Sequence, residues 1–199
     1  MQDRMSAAVR NPMTVTEFLA WEARQEPRWE FDGFHPVAMT GGTAAHEAIG
    51  GNVRTALDNR LRGGPCRVFG PTLKIEVAGR IRYPDAFVVC TAVPPKETVV
   101  RDPVVVFEVL SEGTSRTDRI EKLREYAATP TILRYVILEQ DVVAAMVFVR
   151  KGTDLVVETL TASDTLSMPE IGLEVRLAEF YVGVELSNDI TDAAATQRD

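Results

Sequence analysis

Apolar and polar positions change period several times along the chain, and each change predicts an element. Thr14-Val-Thr-Glu17 ahead of Phe18, Leu19 and Trp21 has the form of a capping box, so a short helix is expected there. Trp29 to Met39 reads as two strands joined at Asp32-Gly33, the favoured hairpin dipeptide. From Ala44 to Leu61 apolar residues recur at Ile49, Val53, Ala56 or Leu57, and Leu61, which is one face of a helix. Gly50-Gly51 inside it costs about 1 kcal/mol each relative to Ala, so packing must hold this helix.

The pattern then turns to strands: Arg67 to Phe69, Thr72 to Val77, a turn at Ala78-Gly79, and Ile81 to Cys90, where Pro84 fits a strand start or an edge. Pro94-Pro95 marks a loop. Pro103 to Ser111 follows, a short apolar run with the look of a strand covered on both faces. A helix is predicted from Ser115 to about Ala128, closed by Pro130, with Ile120, Leu123 and Ala127 as its apolar stripe. Asp118, Lys122 and Tyr126 follow the i, i+4 spacing on an adjoining stripe. From there Lys122 can face back toward a strand end, the alternative being an ordinary surface pair with Asp118. Strands at Ile132 to Leu138, Val142 to Arg150 and Asp154 to Thr161 come next, then a short strand from Leu173 to Leu177 and a helical turn to Tyr181.

Two acidic residues break the β runs. Glu108 stands inside the Pro103–Ser111 run, with four apolar residues before it and two after. A carboxylate there loses hydration at a cost of several kcal/mol unless a cation, a metal or hydrogen-bond donors replace the water. Some group must therefore meet Glu108. Asp85 stands at the mouth of the other run, and strand pairing between the two runs would bring both carboxylates to one point. Paired oxygen ligands suit a hard divalent cation, Mg²⁺ or Mn²⁺, better than zinc.

Composition narrows the setting. The 199 residues suffice for one domain, expected over 14–186, with flexible ends at 1–13 and 187–199. Hydrophobic content of 45% with no apolar run near the roughly 20 residues of a membrane span, and no signal-peptide pattern, point to a cytoplasmic protein without membrane contact. Cys66 and Cys90, far apart in the chain, read as small buried hydrophobes rather than a disulfide or zinc site. A net charge of −7 argues mildly against a protein that coats nucleic acid. Between Arg54 and Arg82, however, seven basic residues stand against two acidic ones, and this segment leads directly to Asp85. It reads either as a basic approach to the carboxylates or as a solvated helix face and hairpin.

With these residues assembled, the chain resembles the Uma2 family (DUF820), a branch of the PD-(D/E)XK nuclease superfamily. The resemblance runs from about Thr14 to Leu186. It is carried by Trp29-Glu30-Phe-Asp32-Gly33, His46 with Ile49, Tyr83-Pro84-Asp85, Phe107-Glu108-Val-Leu-Ser111, and Asp118-Arg119 with Lys122 and Tyr126. It implies an α/β fold of restriction-endonuclease type, a central mixed β-sheet flanked by helices with an N-terminal helix and β-hairpin. It also implies that Asp85 and Glu108 bind Mg²⁺, with the Val109 carbonyl completing part of the shell. Lys122 supplies the positive charge, because the superfamily's usual lysine position holds Leu110 here. Glu30 and His46 match supporting positions, as an outer metal or water ligand and a polar orienter. The implied activity is Mg²⁺-dependent cleavage of DNA, and cutting both strands of a duplex favours a homodimer. Against it stand a catalytically inactive module of the same fold used for nucleic-acid or protein binding, and a structural protein whose Glu108 merely pairs with an arginine.

Overall fold

A computed structural model describes residues 12–39, 41–110 and 116–186. In chain order the elements are α1 (Val15–Glu22), β1 (Trp29–Phe31), β2 (Pro36–Ala38), α2 (Ala44–Leu61), β3 (Arg67–Phe69), β4 (Lys74–Val77), β5 (Arg80–Arg82), β6 (Ala86–Val89), β7 (Val99–Val100), β8 (Val105–Val109), α3 (Arg116–Ala127), β9 (Arg134–Leu138), β10 (Ala144–Lys151), β11 (Asp154–Thr161), β12 (Thr165–Met168) and β13 (Leu173–Arg176), with single 3-10 turns at Pro169–Ile171 and Leu177–Tyr181. The α/β class is as expected. Among the described residues no helix is long and apolar enough to cross a membrane.

The larger sheet runs β11-β10-β9-β8-β6-β3 and is mixed, because β8 and β9 are parallel while its other pairs are antiparallel. A parallel pair needs a crossover, and α3 supplies it. Alternation along the strands then divides the core. Ala86, Val88, Val105, Phe107 and Val109 face α2, which brings Ile49, Val53 and Leu57 to them. Phe87, Val89 and Val106 point the other way, onto Ile75, Val77 and Val100 of a second sheet and onto Tyr126 of α3. That second sheet, β2-β1-β5-β4-β7, is covered on its far side by α1, whose Phe18 stacks on Phe31 at 4.9 Å.

Local signals mark the ends of elements well. The capping box at Thr14 and Glu17 is present in both directions. Ala78 and Gly79 both take positive φ, 47° and 74°, in the tight turn between β4 and β5. The β1–β2 hairpin turns through Asp32, whose carboxylate accepts from the N–H groups of Phe34 and His35. Arg150 of β10 donates Nη2 to the carbonyls of Tyr126, Ala127 and Thr129, satisfying groups left open at the end of α3.

Three expectations are corrected. The run Ile81 to Cys90 is two strands in two sheets, β5 and β6, joined by Tyr83-Pro84-Asp85: Pro84 has no N–H to donate, and the chain changes sheets there. Cys66 and Cys90 form a disulfide, S–S 2.00 Å, because the β3–β6 register that pairs Arg67 with Val89 sets the two cysteines opposite each other. Ile120 is exposed, and the buried stripe of α3 is formed around Tyr126. Strands β7 and β12, too short or too polar to read from the pattern, are additions. The flexible-end expectations, apart from residues 12 and 13, and the side chain of Asp118 lie outside the described residues.

Candidate active site

The β6–β8 register, Ala86 opposite Phe107, sets Asp85 opposite Glu108. Asp85 precedes the first residue of β6, and Glu108 is the last but one of β8. Period-two alternation puts Glu108 on the same side as Val106, toward α3. The Asp85 carboxylate is tied to this edge, since its Oδ2 accepts from the Val109 N–H at 2.7 Å. His46, in the first turn of α2 behind the Thr43 N-cap, brings Nε2 to 3.3 Å from the same oxygen. Gly42 leaves the room: a Cβ there would fall 2.8 Å from His46 Nδ1.

Glu108 is met from α3. Tyr126 donates its hydroxyl to Oε1 at 2.9 Å, and Lys122, one turn earlier, brings Nζ to 3.3 Å from Oε2. Lys122 Nζ also lies 3.9 Å from Oε1 of Glu30 on β1. So Asp85, Glu108, Lys122, Glu30 and His46 gather in one place, and their side chains keep 12–19% exposure, just beneath the surface. Lys122 thus turns inward to Glu108, in addition to whatever it meets elsewhere.

Charge in this cluster is unbalanced. Burial pushes the Glu108 carboxyl up to about 7, and the negative neighbours Asp85 and Glu30 add to the rise against the opposing pull of Lys122 and Tyr126. His46 is raised above its ordinary value, chiefly by its hydrogen bond to Asp85, while burial opposes. Burial, with the charge of Glu108, also raises the Tyr126 phenol, which therefore stays a donor.

Behind these residues lies a layer that the sequence reading missed. Arg82 of β5 makes a bidentate pair with Glu125 of α3, Nε to Oε2 at 2.7 Å and Nη2 to Oε1 at 2.6 Å, and donates Nη1 to Glu30 at 3.0 Å. The Tyr83 N–H donates to the other oxygen of Glu30. Glu125 is three residues after Lys122, so one face of α3 is clamped to both sheets. The signal was present: Arg82 between Ile81 and Tyr83 is a charge in an apolar run, the same anomaly that marked Glu108.

The basic segment is largely spent on partners of its own. Lys74 pairs with Glu22, Arg80 with Glu125, Arg54 with Glu47, Arg60 with Glu179 and Arg62 with Asp58. Its excess along the chain therefore does not become a run of uncompensated charge leading to Asp85. Among the described residues no three His, Cys, Asp or Glu side chains are grouped so as to hold a metal by themselves.

With the geometry in place, comparison with known proteins is informative. Residues 15–178 match the model of the Uma2 family, described as "Putative restriction endonuclease". The chain belongs to the Uma2 family. An uncharacterized protein of Synechocystis sp. is 32% identical over 176 residues, 86% of this chain and 93% of that one. A second uncharacterized Synechocystis protein is 24% identical over 143 residues, covering 68% and 80%. A crystal structure from Anabaena variabilis, described as "a putative nuclease belonging to DUF820", matches with a TM-score of 0.73 over 86% of this chain and 98% of its own, at 16% identity. That likeness establishes the fold. The Uma2 match spans every residue of the cluster, from Glu30 to Tyr126.

Proposed function

We propose that this Uma2 protein hydrolyses phosphodiester bonds in DNA with Mg²⁺, or Mn²⁺ in its place, held by Asp85 and Glu108. The observation that carries this reading is the β6–β8 register, which sets the two carboxylates side by side at a strand end with a lysine 3.3 Å from one of them. Their chemistry fits the ion. Mg²⁺ commonly binds through one or two carboxylates, keeping its other positions for water and substrate phosphate. A carboxyl pushed up by burial, with two acidic neighbours adding to the rise, is also a place where a dication relieves repulsion.

The chain's own groups have distinct tasks. Asp85, fixed by the Val109 N–H and by His46, presents its remaining oxygen, and the Val109 carbonyl adds a neutral donor. Lys122 carries positive charge toward the phosphate, where negative charge grows as water attacks. Glu30, 3.9 Å from the Lys122 Nζ, helps hold that lysine near Glu108. His46 orients Asp85. A dication held by Asp85 and Glu108 would supply polarisation of a phosphoryl oxygen and a more acidic water. Cleavage of both strands of a duplex calls for a two-fold homodimer.

The test is calorimetric titration of Mg²⁺ and Mn²⁺ into wild type and Glu108→Ala, with supercoiled plasmid incubated in parallel. Metal binding lost in the variant, together with nicking by wild type alone, is the expected result. Absence of metal binding in both proteins would sink the reading and favour a binding module that keeps the nuclease fold. That second reading draws on the pairing of Arg54, Arg60, Arg62, Lys74 and Arg80 with carboxylates, which offsets the charge these side chains could offer a substrate backbone.

A further inference from the structure

Asp85 is held at two points, and its carboxylate is only one of them. Arg54, about two turns along α2 from His46, donates Nη1 to the main-chain carbonyl of Asp85 at 3.1 Å. Its Nη2 meets Glu47 at 2.9 Å, but Glu47 is 72% exposed, so that outer contact is a solvated surface pair of little strength. The inner contact is partly buried and falls where the chain passes from β5 to β6. Pro84 has no N–H there, and the sheet ladder begins only at Ala86. Arg54 steadies the main chain at the point where sheet pairing has not yet taken hold.

Two glycines clear its path. A Cβ at Gly70 would fall 2.7 Å from Arg54 Cδ, and one at Gly50 would fall 3.2 Å from Arg54 Nη1 and 3.8 Å from Asp85 Cβ. Neither glycine takes a positive φ, so no turn geometry explains them. Gly50 sits in a helix interior, where glycine is a poor choice, and is buried against this contact. Space for the guanidinium and for close approach of α2 to Asp85 accounts for both.

We infer that Arg54 is a positioning residue for metal binding: by pinning the Asp85 carbonyl through the gap left by Gly50 and Gly70, it aims the Asp85 carboxylate toward Glu108. The inference rests on the metal-site reading above. Groups that orient a metal ligand without touching the metal typically change its affinity 10- to 100-fold when removed. Arg54 acts in that way, through a main-chain carbonyl.

The test is Mn²⁺ titration calorimetry on wild type, Arg54→Ala, Arg54→Lys, Gly70→Ala and Glu47→Ala, with thermal unfolding of each in chelator. Arg54→Ala and Gly70→Ala should weaken Mn²⁺ binding about 10- to 100-fold, whereas Glu47→Ala should leave it within about twofold. Arg54→Lys, which keeps one donor for the carbonyl, should recover most of the affinity. Gly70→Ala displaces the arginine without removing charge, so it stands in if Arg54→Ala does not fold. Unchanged Mn²⁺ affinity in folded Arg54→Ala and Gly70→Ala overturns the inference while leaving the metal site standing. So does equal loss in Arg54→Lys and Arg54→Ala with matching drops in unfolding temperature, the mark of a purely structural role. If wild type itself binds no Mn²⁺, the metal-site reading fails first and this one falls with it.

Discussion

Two acidic clusters lie on either side of Tyr83-Pro84, and they treat charge differently. Around Arg82, two carboxylates meet one guanidinium in short, directed hydrogen bonds, and Arg80 adds a second cation to Glu125. Burial alone would lower the Arg82 pKa, but its hydrogen bonds to Glu125 and the charges of Glu30 and Glu125 outweigh that and raise it. Around Glu108 the balance is reversed. Burial pushes the Glu108 carboxyl up to about 7, the charges of Asp85 and Glu30 add to the rise, and Lys122 and the Tyr126 phenol oppose it. A buried cluster whose charges are matched holds elements together. Glu30, which meets Arg82 in one cluster and lies 3.9 Å from Lys122 in the other, connects them.

The largest effect should come from the unmatched pair. Asp85→Ala or Glu108→Ala is expected to reduce plasmid cleavage by more than about 10³-fold, beyond the loss of a single transition-state donor, while circular dichroism shows a folded protein. The matched cluster should answer in stability instead. Arg82→Ala leaves Glu30 and Glu125 buried without their cation, and urea unfolding should show a loss of about 3–5 kcal/mol. Equal, small losses at both clusters would erase the distinction between them.

Lys122→Ala should fall between these extremes, lowering the cleavage rate about 10²-fold with Mn²⁺ affinity within a few-fold of wild type by calorimetry. If rate and affinity fell together, Lys122 would belong to ion binding. The smallest effect sharpens the electrostatic point. Because the folded state raises the Glu108 pKa, the stability tied to its proton is fully present below about 4.5 and is lost as pH climbs through about 7. Glu108→Gln has no such loss. In chelator at pH 8 it should be more stable than wild type by about 1–3 kcal/mol, with the gap closing near pH 4.5 when denaturation is repeated there.

Local order was legible in the chain. The capping box at Thr14, the α2 stripe from Ile49 to Leu61 and the turn at Ala78-Gly79 depend on residues three or four positions apart, and each formed where its spacing put it. Asp85 and Glu108 announced themselves as charges at apolar runs, since an ion in such a run needs a partner wherever the fold supplies one. Lys122 and Tyr126 showed by spacing that they share a face, though not what that face would meet.

Pairing was a different matter. Nothing near Ile81 says that its run divides between two sheets, and nothing near Cys66 says that Cys90, 24 residues on, lies directly across a ladder. Arg82 and Glu125 are 43 residues apart and find each other only because α3 crosses over both sheets. Gly50 looked like a weakness in a helix until Arg54 and Asp85 came within 4 Å of where a Cβ would stand. The sequence by itself determined the elements, their polar anomalies and the types of groups available for chemistry, because these follow from backbone propensity and the cost of burying charge. Which carboxylates meet Arg82 and which meet Lys122 was decided by strand register and helix crossover, and these arise only when distant segments pack.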